Sequence, residues 1–278
     1  MAYKSVLTVL LGDDLERSAL DGAVAFCEAQ DAHLEVLSLG VDVSAPGYYY
    51  AGANAMIEQQ EIERARAAAV AGEEAARAAL AGTPVRWTVT SGVAHVGTVH
   101  QIVGQHARFS DIAVLPLPYG EGRSVTEEAV LEAALFDGQV PVLVLSPGTE
   151  VRRPKRIVVA WNQSGEAMAA IRSALPLLRT AEMTDVVVVD PPQHAPDRSD
   201  PGGALSQMLS RHGAKPEVSV IAKTMPRMGD VLTRHCADRE AELLVMGAYG
   251  HSRFREAILG GATRDMLEAA TLPVLMHH

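Results

Sequence analysis

The sequence predicts an α/β protein made of two repeated domains, each a parallel sheet with helices on both faces. Three observations carry this. Short apolar runs rich in branched residues alternate with alanine-rich segments of helical period, as in right-handed βαβ crossovers. The same order of elements occurs twice. From the third strand onward, matching elements are offset by roughly 130 residues, the size of one domain.

The first strands are expected at residues 6–11 and 157–161. Each leads through a polar turn, Gly12-Asp13-Asp14 or Asn162-Gln163-Ser164, into a helical pattern. Second strands fall at 34–39 and 185–189, and third strands at 85–90 and 218–223. Helices follow at 96–108 and 230–239, then fourth strands at 112–115 and 243–246. Helices at 127–135 and 262–270 precede fifth strands at 141–145 and 273–276. Proline, glycine and charge break the period at 146–154, which divides a domain 1–147 from a domain 154–278. The halves differ between their second and third strands. The first carries a long helix-forming segment, 54–80, preceded by Tyr48, Tyr49 and Tyr50; the second carries a loop rich in proline and glycine, 191–203.

Of the 278 residues, 48% are hydrophobic, 21% charged and only 4% aromatic, so alanine, valine and leucine must fill the cores. The formal charge of -10 disfavours nonspecific nucleic-acid or anionic-membrane binding. No apolar run approaches the roughly 20 residues of a membrane helix, and residues 1–12 lack a signal-peptide pattern. A cytoplasmic protein is expected. Cys27 and Cys236 fall in helices of separate halves and read as buried thiols rather than a disulfide.

The chemistry concentrates in residues 243–263. A buried apolar run ends at Gly247, Gly250 follows three positions later, and Gly260 and Gly261 open the last helix at Ala262 and Thr263. Glycines there let backbone N–H groups approach an anion at a helix N-terminus. His251 and Arg253, in the intervening loop, could add positive charge; Arg255 reads as solvated. The competing reading is that these glycines serve a tight turn and close helix–strand packing. The spacing is neither the Walker phosphate loop nor the dinucleotide fingerprint.

The spacing resembles the Gly-x2-Gly-x9-Gly-Ser/Thr motif of the universal stress protein family. With the repeat and the turn after the first strand, the resemblance covers essentially the whole chain and points to a tandem two-domain member. It implies Rossmann-like domains of the adenine nucleotide alpha hydrolase-like type, each a five-stranded parallel sheet of order 3-2-1-4-5. A crevice then opens at the carboxyl ends of the first and fourth strands. In the second domain these strands end at Asn162 and Gly247. Carried over residue by residue, Gly247, Gly250, Gly260, Gly261 and Ala262 match phosphate and ribose contacts, and Val189 matches a backbone contact to adenine. Asn162 stands where the family usually has aspartate. Gly261 stands where it has Ser or Thr, with Thr263 the nearest substitute hydroxyl. The implied ligand is ATP or a related adenine nucleotide, with or without magnesium.

The first domain departs further. Pro116 occupies the position of Gly247, and Glu127 and Glu128 open the helix where the glycine pair would stand, although Asp13 matches the family acid. This domain is expected to keep the fold and to have lost the nucleotide pocket. No nucleophile elbow, zinc spacing or HExxH motif occurs. His95, His100 and His106 do not share one helix face, and His277 and His278 read as incidental. No catalytic or metal-binding residue is assigned. The leading reading is a stress-response or signalling protein that binds nucleotide without efficient turnover. The alternatives are a slow ATPase or adenylyl-transfer enzyme, and a nucleotide-free interaction scaffold. Family members pair through their fifth strands, antiparallel and edge to edge. The linker of about nine residues can reach roughly 30 Å, so an intramolecular pseudo-dimer through 142–145 and 274–276 is expected. Tyr48–Tyr50 is the first candidate surface for a further homodimer.

Overall fold

Strand β1 (Ser5–Leu11) is buried at five successive positions, so both its faces must be covered, and a nearly unbroken apolar run supplies this. The computed structural model describes residues 3–12, 17–42, 54–120, 123–191, 200–248 and 261–278, with backbone alone for 54–58 and for Ala269. Its residues fall into two compact units, Tyr3–Val140 and Pro141–His278.

In the first unit β1 is followed by α1 (Arg17–Gln30), β2 (His33–Asp42), α2 (Asn54–Leu80), β3 (Arg86–His95), α3 (Val99–Ala107), β4 (Ile112–Pro116) and α4 (Val125–Glu132). The sheet order is β3-β2-β1-β4, all parallel. Helix α2 lies on β2 through small residues. A Cβ added at Gly40 would fall 1.8 Å from the Ala65 carbonyl oxygen, and one at Gly72 would fall 2.7 Å from that of Gly12. Its buried residues include Ala65, Ala69 and Ala76, while Glu73 and Arg77 pair at 2.8 Å and Arg77 also donates to the Val89 carbonyl of β3 at 2.8 Å. Helix α4 begins two residues earlier than expected, with a reciprocal cap. Ser124 Oγ accepts from Thr126 N–H, and the Glu127 carboxylate accepts from Ser124 N–H at 2.9 Å. Glu127 is thus bound to its own helix start.

The second unit contains β5 (Val142–Leu145), β6 (Arg156–Ala160), α5 (Gly165–Leu178), β7 (Met183–Val189), α6 (Gly203–Arg211), β8 (Pro216–Ile221), α7 (Met228–Asp238), β9 (Leu243–Gly247), α8 (Ala262–Ala269) and β10 (Val274–His277). The order is β5-β10-β9-β6-β7-β8. All pairs are parallel except β5 with β10, whose register sets Val142 against Met276, Leu143 against Leu275 and Val144 against Val274. Against the expected layout of five parallel strands per domain, β5 pairs antiparallel with β10, as the expected joining of the fifth strands requires. All four β5 residues are buried, and the antiparallel ladder satisfies an edge that would otherwise expose backbone donors and acceptors. The Ser146 hydroxyl ties the end of β5 down, lying 3.0 Å from the Ala270 carbonyl oxygen and 3.2 Å from that of Leu272.

The repeat extends into polar pairs, part-buried in the first unit and buried in the second. Glu35, third residue of β2, meets His106 of α3; Asp185, third residue of β7, meets His235 of α7. Asp185 is fully buried and also pairs with Arg239 at 2.9 Å. Burial acts to raise its pKa, but His235, Ser219 and Arg239 together hold it below the ordinary carboxylate value. Cys27 and Cys236 are free and buried, and desolvation pushes each thiol up to about 12. His277 is not incidental. It closes β10, and its Nδ1 lies 2.9 Å from the Ser173 hydroxyl on α5. Among the described residues, no helix is long and apolar enough to cross a membrane.

Candidate functional site

In the second unit β6 has β7 on one side and β9 on the other. The chain leaves β6 toward one neighbour and returns on the other. Such a reversal opens a crevice at the carboxyl ends of the strands. A cavity of about 200 Å³ lies there, and Asn162, Val189, Gly247, Ala262 and Thr263 all line it. Five residues proposed from sequence are therefore brought together by three strand ends and one helix start. Gly261 caps α8 directly beside them. Gly250, His251, Arg253 and Gly260 lie outside the described residues, as do Arg255, Asp13 and Tyr48–Tyr50.

The turn after β6 is built from its own side chains. The Asn162 Oδ1 accepts from the Ser164 N–H at 3.1 Å, and the Ser164 Oγ caps α5 by accepting from the Ala167 N–H at 3.1 Å. Between them Gln163 adopts a left-handed φ of 65°, which a residue with a Cβ rarely takes. The Trp161 N–H bonds the Val187 carbonyl at 2.9 Å, joining this turn to the end of β7. Trp161, Val187, Met228, Leu232 and Met246 supply the apolar walls. Met228 and Leu232 stand one helical turn apart at the start of α7, which begins two residues before the expected 230.

Helix α8 starts from Gly261 at φ −72° and ψ 160°, with no side-chain cap bond, so its first turn presents backbone N–H groups and the positive end of the dipole. Thr263, 3% exposed, sits in that turn. Nearby acids are occupied: Asp265 and Glu268 hold the Arg227 guanidinium at 3.1 and 2.8 Å. None of the described residues lining the cavity is a carboxylate, so a magnesium ion there would depend on the oxygens of its ligand. Among the described residues no cluster of three or more His, Cys, Asp or Glu could hold a metal.

Gly247 has a packing role beside its place on the cavity. Sequence reasoning gave it to phosphate approach or to a positive φ. Its φ is not positive, and an added Cβ would lie 2.6 Å from the Ala167 nitrogen and 2.8 Å from the Glu166 carbonyl carbon. The missing side chain is used to seat α5 against β9. Gly229 does the same for α7, since its Cβ would fall 2.6 Å from the Asp265 carbonyl carbon on α8.

The first unit was expected to have lost the nucleotide pocket; a cavity of about 310 Å³ lies at the ends of β1 and β2. Its chemistry differs. Glu61 and Arg64 reach it from α2, and Ser124 and Glu127 from the capped start of α4. Sequence reasoning missed the α2 contribution because the close approach of α2 at Gly40 and Gly72 is a tertiary contact.

Residues 154–278 match the profile of the Universal stress protein family. The "Universal stress protein Slr1230" of Synechocystis sp. is 33% identical over 73 residues, which is 26% of this chain. The match spans only 24% of that relative's length. Among solved structures, a universal stress protein from Archaeoglobus fulgidus aligns with 97% of this chain and 94% of its own, with a TM-score of 0.64 and 16% identity. A candidate universal stress protein from Pseudomonas aeruginosa aligns with 99% and 92%, with a TM-score of 0.59 and 17% identity. The chain thus has the α/β fold of universal stress proteins, and its residues 154–278 match that family in sequence.

Proposed function

We propose that this chain is a cytoplasmic stress-response or signalling protein that binds an adenine nucleotide in the cavity between β6, β9 and α8, without efficient turnover. The observation that carries the reading is the convergence of Asn162, Val189, Gly247, Ala262 and Thr263 on one cavity beside an uncapped helix start. The family match over 154–278 supports it. At about 200 Å³ the cavity is smaller than the ~300–1,000 Å³ typical of ligand pockets. It suits a base enclosed by Trp161, Met228 and Leu232, with phosphates extending toward the start of α8.

Slow ATPase or adenylyl-transfer activity is the second reading. It needs an acid to hold metal or orient the attacking group, and the absence of a carboxylate among the described lining residues favours binding over turnover. The carboxylates at the first unit's cavity favour the second unit as the nucleotide site. We read the β5–β10 ladder as the intramolecular counterpart of a subunit contact, so a further copy would need another surface.

Gly261→Asp tests the site. Aspartate is a better cap than glycine by a few tenths of a kcal/mol, and it places a carboxylate where a phosphate would dock. Calorimetry on the full chain should show ATP binding to the wild type and at least tenfold weaker binding to a variant of equal or higher stability. Equal affinity in the variant would place the phosphates elsewhere.

A further inference from the structure

The edge strands of the two units are finished differently. In the first unit β3 packs against α2, a helix of 27 residues, and its Val89 is 2% exposed. Arg77 of α2 also takes the Val89 carbonyl oxygen of β3. In the second unit the matching helix, α6, has nine residues, and Val218 and Val220 of β8 stay 38% and 52% exposed. These two valines alternate along the strand and so share one face. Strand β8 has β7 on one side and no described strand on the other. The backbone of that open side follows from the bonds to β7. The Lys215 and Ile221 carbonyl oxygens accept from the Thr184 and Asp190 N–H groups at 3.0 and 2.9 Å. The alternate residues, Val218 and Val220, therefore turn their N–H and C=O groups outward, and Ala222 continues the row. Pro216 also falls in this row but has no N–H to offer. Beyond the valines, Glu217 and Lys223 are both exposed. The Glu217 carboxylate reaches Arg239 only at 4.0 Å, and Lys223 has no partner among the described residues.

We propose that β8 is a docking edge for a second copy of this chain, paired antiparallel about a two-fold axis at Val220. An antiparallel ladder sets outward-facing residues opposite one another. Of the registers that avoid Pro216, this one keeps the most of β8 paired. It sets Val220 against its own copy and Val218 against Ala222. It also sets Glu217 of each copy against Lys223 of the other, at positions where a ladder brings side chains closest. A two-fold axis at Ser219 would instead oppose Lys215 to Lys223 and leave Ala222 facing Pro216. The chosen pairing satisfies the open backbone groups, joins the two valine strips and pairs opposite charges on the other face. Because the contact is the same on both copies, it closes at a dimer. It supplies the further surface that the β5–β10 ladder leaves to be found, and it stands whether or not the second unit holds a nucleotide.

Sedimentation equilibrium of the full chain over a range of concentrations tests this. Wild type should approach twice the 29.5 kDa chain. Glu217→Lys sets a lysine against Lys223, and Lys223→Glu sets a glutamate against Glu217, each at two symmetric places. Either variant should weaken the dimer by about tenfold or more. Mixed in equal amounts, the two variants oppose unlike charges at both places, and the dimer should return. Val220→Lys puts like charges across the axis at a half-exposed position and should be monomeric; unfolding midpoints check that each variant is folded. A monomeric wild type overturns the proposal. A dimer that all three variants leave intact also overturns it, because the contact then lies elsewhere. Two weakened charge variants whose mixture stays monomeric refute the pairing of Glu217 with Lys223 and the proposed register with it.

Discussion

Replacing Gly247 by alanine should damage the fold before it damages recognition. The new Cβ would sit 2.6 Å from the Ala167 nitrogen, 2.8 Å from the Glu166 carbonyl carbon and 3.0 Å from the Ala167 Cα. All three are backbone atoms in the first turn of α5, so no side-chain rotation relieves them. Ordinary contact begins near 3.4 Å, so α5 must withdraw from β9 by about 0.8 Å at the closest atom. Overpacking of a close-packed interior costs about 1–3 kcal/mol, and a clash with rigid backbone belongs at the upper end. With a urea m-value of about 1–3 kcal/mol/M, the unfolding midpoint should fall by about 1 M. The chain has two tryptophans, Trp87 and Trp161, one in each unit. A Trp87→Phe background therefore reports the second unit through Trp161. Gly165→Ala is the control, since nothing lies within 4 Å of its added Cβ and its φ is not positive. It should be neutral or stabilising by about 0.4–1 kcal/mol. Nucleotide affinity should also fall in Gly247→Ala, because the same turn carries the Ser164 cap and the Asn162 bond. An unchanged midpoint with selectively lost binding would refute the packing argument and return Gly247 to the phosphate.

Four other outcomes follow from buried and part-buried groups. Asp185→Ala should cost about 3–5 kcal/mol, because it leaves His235 and Arg239 facing an empty site. The folded pKa of Asp185 is depressed, so its contribution is fully present above the unfolded value of about 3.9 and is lost as pH falls through the folded value. The stability gap between wild type and an Asp185→Asn variant should therefore hold from pH 7 to 5 and close only below about pH 4; a gap closing near pH 6 would contradict this. With both thiols pushed up to about 12, native Cys27 and Cys236 should resist a disulfide reagent and react on denaturation; rapid labelling of the native protein would disprove their burial. Ser173→Ala removes the partner of His277 and should lower second-unit stability by about 0.5–1.5 kcal/mol, with no change expected in the first unit's transition.

The strands were legible because buried parallel strands need continuous apolar runs, and the helices because alanine and leucine recur at helical spacing. Boundaries were less so. The third strand continues to His95, and α4 starts at Val125, where its capping box sits. The five cavity residues could be chosen because the family resemblance carried its contacts onto strand ends and a helix start. What those residues do was not legible. Helix–strand packing at Gly247 was one of two readings, but its partner, α5, is eighty residues away in sequence and adjacent only in space. Trp161, Met228 and Leu232 were missed because they meet at the cavity only through tertiary packing. The antiparallel pairing of 142–145 with 274–276 was expected from the family resemblance, whereas its register, Val142 against Met276, follows from no local pattern.

Backbone amide spectra of the full chain titrated with ATP test the central claim most directly. The account predicts shifts clustered at Val189, Gly247, Ala262 and Thr263 and at the Asn162–Ser164 turn, with Gly12, Ser124 and Thr126 of the first unit's cavity unmoved. Shifts confined to Gly12, Ser124 and Thr126, or no shift anywhere at millimolar nucleotide, would contradict it.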